Sequence, residues 1–185
     1  SMLRTEDIQR LAWRVYPYVA AELFLRWREE ELARVIEGVL AALAENGVLH
    51  PNEDRSAWRR PPSDSPAAMQ LSMLAQSTIQ TIERYYLAIS LLLRAGSGTI
   101  NQKTLEQQCL LAAQRMNMLY GFNSPEFFDR ALFENFIDLL RERGVIRAGA
   151  AGTLEFDEVL MRVAADAQLV LSEQIRHSIL QVTQV

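Results

Sequence analysis

The chain has 185 residues, 49% apolar and 23% charged, so it can bury a real core as one domain or two small ones. Its net charge of −4 argues against nucleic acid as a main partner. A single cysteine, Cys109, excludes an internal disulfide and fits a reducing compartment.

Arg outnumbers Lys eighteen to one, which reads as a compositional bias rather than a mechanism. Ser1 before Met2 reads as a remnant of tag removal, with no signal peptide behind it. The longest apolar run, 85–93, lies between Arg84 and Arg94. A spanning helix needs ~20 apolar residues, so none is expected.

In chain order, Thr5-Glu6-Asp7-Ile8 begins a capped helix, with Leu11 and Val15 on one face. Proline disfavours the helical conformation in the residue before it, so Tyr16-Pro17 is expected to interrupt this helix. Pro17 then opens a second segment over 18–25. Glu29-Glu30-Glu31 reads as the acidic first turn of the next helix. There Leu32, Val35, Ile36, Val39, Leu40 and Leu43 form a stripe, and Asn46-Gly47 closes it. Val48-Leu49 reads as a short strand, and 50–68, rich in Pro, Ser, Asp and Arg, as an exposed mobile loop.

The central element is a helix over 66–95. Ser65 can cap it, Pro66 suits its first position and Gly96 can end it. Thirty residues span about 45 Å at the α-helical rise. Its second half is apolar all round, the pattern of a helix buried on every side. Asn101 can cap a helix bearing Leu105, Cys109, Ala112, Met116 and Leu119. Gly121 to Pro125 break the chain and restart it. Phe128, Leu132, Phe133, Phe136, Ile137 and Leu140 mark a further helix that stops at Gly144. Residues 145–147 and 153–156 read as a small hairpin, and Asp157 as the cap of a last helix through Ile179.

The fold class that follows is mainly α: one helical domain over 1–185, six to eight helices around the long central helix, with small β-hairpins. A weak internal repeat at a step of 97 pairs Val35 with Leu132, Ile36 with Phe133, Val39 with Phe136 and Gly47 with Gly144. It outlines two winged-helix-like halves, 3–95 and 99–181. Any two amphipathic helices ending in Gly-Val align as well, so both readings stay open.

Chemistry-bearing patterns are scarce. His50 and His177 have no metal-ligand partner at helical spacing, and one cysteine cannot build a zinc site. No glycine-rich phosphate loop and no Gly-x-Ser-x-Gly turn is present. No catalytic, cofactor or metal residue is assigned, and no cofactor is expected. Glu83 and Arg84 at the edge of the apolar run are expected to pair, since burying an unpaired charge is costly. Aromatics mixed with arginines in the segments 13–18 and Phe24-Leu25-Arg26-Trp27-Arg28 mark a candidate membrane or partner surface: Trp13, Arg14, Tyr16, Tyr18, Arg26, Trp27 and Arg28, with Trp58, Arg59 and Arg60 in the loop. The competing reading packs the aromatics inward and leaves the arginines in water.

Several stretches carry a resemblance. They are Tyr16-Pro17-Tyr18 followed by Ala21-Glu22-Leu23-Phe24-Leu25, then Ile82-Glu83-Arg84-Tyr85-Tyr86. Leu105-Glu106 with Ala113-Gln114-Arg115-Met116 follows, then Phe127-Phe128-Asp129 with Leu132-Phe133. In that order they resemble the carboxy-terminal region of bacterial glycerol-3-phosphate 1-O-acyltransferase, over roughly 11–179. The resemblance implies a parent that moves an acyl group from acyl-CoA or acyl carrier protein to glycerol 3-phosphate, the first step of phospholipid synthesis, at the cytoplasmic face of the bacterial inner membrane. That family's catalytic signature is His-x4-Asp, with His as general base. Here Arg55 stands five residues after His50, and Val182 five after His177. The resemblance therefore implies a non-catalytic scaffold or membrane-association region, inactive alone. Its partners would be the acyltransferase domain of the same parent and the membrane surface, and it would meet the acyl donor only through that parent. The alternative is a winged-helix-like regulatory, protein-binding or nucleic-acid-binding module.

Overall fold

A computed structural model describes residues 2–120 and 129–184. The chain divides into two compact units, Ser1–Thr78 and Ile79–Val185. The division falls inside the long helix, not at the junction of the halves 3–95 and 99–181.

The first unit begins with β1 (Met2–Arg4) and α1 (Thr5–Leu23). Pro17 lies inside α1 and does not interrupt it. Tyr16, Tyr18 and Val19 are all buried, and burial at ~1.5–3 kcal/mol per large side chain outweighs the ~3 kcal/mol cost of an interior proline. A 3-10 turn over Glu29–Glu31 leads into α2 (Leu32–Glu45). Gly47, at φ +69°, ends α2 with the paired bonds Gly47 N–H to Ala44 O and Val48 N–H to Leu43 O. Val48 and Leu49 are buried bends, and the strand begins one residue later.

Residues 50–68 are not a plain loop. They hold β2 (His50–Pro51) and β3 (Ala57–Arg59). β3 pairs antiparallel with both neighbours in the order β1-β3-β2, with Leu3 opposite Trp58 and His50 opposite Arg59. Trp58 is 6% exposed and packs with Leu40 and Leu49, against which Ile8, Ile36, Leu43 and Leu71 also pack.

α3 (Pro66–Ala95) is the long helix, with the predicted bounds. Ser65 Oγ accepts from Ala68 N at 3.2 Å, as a cap should. Every residue of α3 from Thr81 to Leu92 is buried.

The second unit continues with α4 (Gln102–Tyr120), which Asn101 caps through a 2.9 Å bond from Thr104 N. α5 (Arg130–Glu142), β4 (Ile146–Ala148), β5 (Leu154–Phe156), α6 (Glu158–Val170) and α7 (Glu173–Thr183) follow. β4 and β5 form the expected antiparallel hairpin. β5 also bonds on its other side, through Gly98 N–H to Leu154 O and Leu154 N–H to Ile100 O, both 2.8 Å. Tyr85 of α3 stacks on Phe136 of α5, 3.9 Å between centroids and 6° between planes. The chain break expected at Gly121 to Pro125, and the helical position expected for Phe128, lie outside the described residues.

Candidate interaction surface

The ten residues singled out by sequence separate into two groups. Tyr16, Tyr18 and Trp58 are buried. The Tyr16 hydroxyl donates to the Trp27 carbonyl at 2.7 Å, and Trp58 Nε1 donates to Thr5 Oγ1 at 2.8 Å. All three rings are buried, and Tyr16 and Trp58 satisfy their polar atoms within the first unit. Trp13, Arg14, Arg26, Arg28, Arg59 and Arg60 are exposed, and Trp27 is half-buried.

The α1–α2 connection brings part of the exposed group together. The Arg26 guanidinium lies 5.1 Å from the Trp27 ring centroid. Arg28 pairs loosely with Glu31 at 3.7 Å, and its backbone N–H also donates to Glu31 Oε2 at 3.0 Å. The backbone bond and the Arg28 charge, together with Arg34, hold the Glu31 carboxyl below its usual range. Phe24, outside the ten, is the most exposed aromatic of this segment, at 90%. It sits at φ +51° as the C-cap of α1, a conformation unfavourable for a bulky side chain. In the sequence it opens the aromatic–arginine segment 24–28, while hydropathy alone would read a phenylalanine at a helix end as core.

Arg59 and Arg60 do not join that segment. With His50, Pro61 and Pro62 they line a separate, shallow depression of about 520 Å³. In the second unit a cavity of about 560 Å³ has an apolar floor of Leu91, Ala112 and Val182, with Arg94 and Arg115 at its rim.

Nothing at these surfaces resembles a reaction centre. Among the described residues no three His, Cys, Asp or Glu side chains converge as a metal site would require. His177 bonds to Gln181 in its own helix, at 2.9 Å. Cys109 is fully buried, and burial, with Glu106 nearby, pushes its thiol well above the usual range, so it is not a nucleophile. Glu83 is buried, with Arg84 beside it in sequence and also buried. Burial pushes the Glu83 carboxyl up to about 7 against the opposing pull of Arg84, and its Oε2 has no hydrogen-bond partner. No described helix is long and apolar enough to cross a membrane.

Residues 1–149 match the family model described as "Glycerol-3-phosphate acyltransferase C-terminal region". The chain belongs to this family. Glycerol-3-phosphate acyltransferase of Pseudomonas aeruginosa strain UCBPP-PA14 is 43% identical over 183 residues, 98% of this chain and 22% of the relative. That of Pseudomonas putida strain W619 is 44% identical over 169 residues, covering 91% and 20%. That of Pseudomonas fluorescens strain Pf-5 is 42% identical over 183 residues, covering 98% and 22%. The chain thus spans about a fifth of the length of the curated relatives it matches. No solved structure matches it.

In the stretches that resemble this acyltransferase C-terminal family, Tyr16, Tyr18, Glu83, Arg84, Tyr85, Tyr86, Glu106, Ala113, Met116 and Phe133 are buried, while Ala21, Phe24, Gln114 and Arg115 are exposed.

Proposed function

We propose that this chain is a non-catalytic, helical part of a glycerol-3-phosphate acyltransferase, packing against the acyltransferase part of the same parent. The parent would transfer an acyl group from acyl-CoA or acyl carrier protein to glycerol 3-phosphate. The observation that carries this reading is the family match over residues 1–149, in a chain with no His-x4-Asp pair. The burial of Cys109, away from any substrate, supports it. The test is reconstitution in trans. Purified chain added to a parent truncated before this region should restore acyl transfer to glycerol 3-phosphate. Unchanged activity, or turnover by the chain alone, would refute the reading.

A second role rests on the 24–28 segment. Phe24 stands out of the surface between α1 and two exposed arginines, Arg26 and Arg28, the chemistry of a lipid–water boundary. In this role the chain meets the cytoplasmic face of the bacterial inner membrane without crossing it. Trp27 fluorescence should change with anionic vesicles at low salt, and no change would remove the role.

A further inference from the structure

The two units share one order of elements, and the step of 97 seen in the sequence carries the first onto the second. It takes Thr5 to Gln102 and Leu23 to Tyr120, the bounds of α1 and α4. It takes Ala57 to Leu154 and Arg59 to Phe156, the bounds of β3 and β5. Gly47 falls on Gly144, both at φ +69°, and the paired bonds that end α2 recur at α5 as Gly144 N–H to Arg141 O and Val145 N–H to Leu140 O. The middle strand also bonds the same way in both. β3 lies between β1 and β2, and β5 lies between residues 98–101 and β4.

The copies differ in what precedes the first strand. In the second, α3 runs into 98–101 through Gly96-Ser97-Gly98, and its Tyr85 ring covers Phe136. The position equivalent to Phe136 is Val39. Phe136 is 2% exposed and Val39 51%. The same contrast repeats around it. Phe133, Cys109 and Ala112 are buried, while their equivalents Ile36, Ala12 and Val15 are only half-buried. Val39 on α2 is thus apolar and uncovered where its counterpart Phe136 on α5 is covered by the Tyr85 ring of α3.

We infer that the chain is a duplicated winged-helix-like unit whose first copy is missing its covering helix, and that this helix is the segment of the parent protein immediately preceding β1. It would dock on the face centred on Val39 as α3 docks on Phe136. The inference rests on the reading that the chain is part of a longer protein, which the one-fifth coverage of its relatives supports. By analogy with α3 the segment is apolar on at least one face and joined to β1 by a short turn.

Two measurements on the full-length parent test it, and neither needs catalytic activity, so their outcome is separate from that of reconstitution. First, the Val39→Cys thiol should react with a maleimide at least ~10-fold more slowly in the parent than in this chain. Buried Cys109 serves as the unreactive reference, and Glu142→Cys, exposed in the second unit, as the reactive one. Second, p-benzoylphenylalanine placed at Val39 should photo-cross-link to a peptide within about 40 residues upstream of β1, a length set by the 30 residues of α3 plus a turn. Equal thiol reactivity in chain and parent overturns the inference. So does a cross-link to a remote part of the parent, a cross-link to a second copy, or none.

Discussion

The contrast between Phe136 and Val39 gives the sharpest prediction for the chain as it stands. Phe136→Ala removes a ring that is 2% exposed and stacked on Tyr85 at 3.9 Å. Buried Phe→Ala changes cost about 3–5 kcal/mol, of which the stack accounts for roughly 0.5–1.5. Val39→Ala removes two methyl groups from a side chain already half in water, and should cost no more than about 0.5 kcal/mol. With a urea m-value of about 2 kcal/mol/M, Phe136→Ala moves the midpoint of its transition down by roughly 2 M, and Val39→Ala barely moves it. Circular dichroism follows both units. Fluorescence follows only Ser1–Thr78, since Trp13, Trp27 and Trp58 all lie there. A Val39→Ala cost equal to that of Phe136→Ala would refute the claim that the first copy is uncovered at this face. So would a Phe136→Ala cost below about 1 kcal/mol.

Phe24→Gly should stabilise the chain by about 1 kcal/mol, because glycine accepts φ +51° freely and the exposed ring contributes no burial; a lower melting temperature would count against this. The same substitution should weaken vesicle binding in a sedimentation assay. Thr5→Val leaves the Trp58 indole N–H without its 2.8 Å acceptor and should cost about 1–3 kcal/mol, read from the tryptophan fluorescence transition. Glu83 ionises near 4.5 when unfolded and at about 7 when folded, so the folded state holds its proton more tightly. Its contribution to stability therefore falls as pH rises from about 4.5 to 7 and is flat beyond. Glu83→Gln should abolish that part of the slope in urea midpoints measured across pH 5–8, and an unaltered slope would show that Glu83 is not its source.

The sequence made α3 legible because three independent signals agreed: a cap at Ser65, a proline at the first turn and an apolar second half. The hairpin over β4 and β5 was legible from its glycine-rich turn. Pro17 misled because local propensity was weighed without the burial of Tyr16 and Tyr18, which no local pattern announces. The strands within 50–68 were hidden for a related reason. β3 is three residues long, and one of its partners, β1, lies more than fifty residues away in sequence. Its one buried side chain, Trp58, sits beside Arg59 and Arg60 and so reads as part of a charged loop. Of the candidate surface residues the arginines and Trp13 are exposed while Tyr16, Tyr18 and Trp58 are buried, because a tyrosine or tryptophan serves a core and an interface equally well. Phe24 belongs to the aromatic–arginine segment 24–28, but only backbone geometry reveals that it points nowhere into the fold.

The proposed docking of this chain on the acyltransferase part of its parent is open to direct measurement. Sedimentation velocity of the two purified parts, alone and mixed at micromolar concentration, tests it most directly. Docking gives one faster-sedimenting boundary containing both. Two boundaries unchanged by mixing would contradict it.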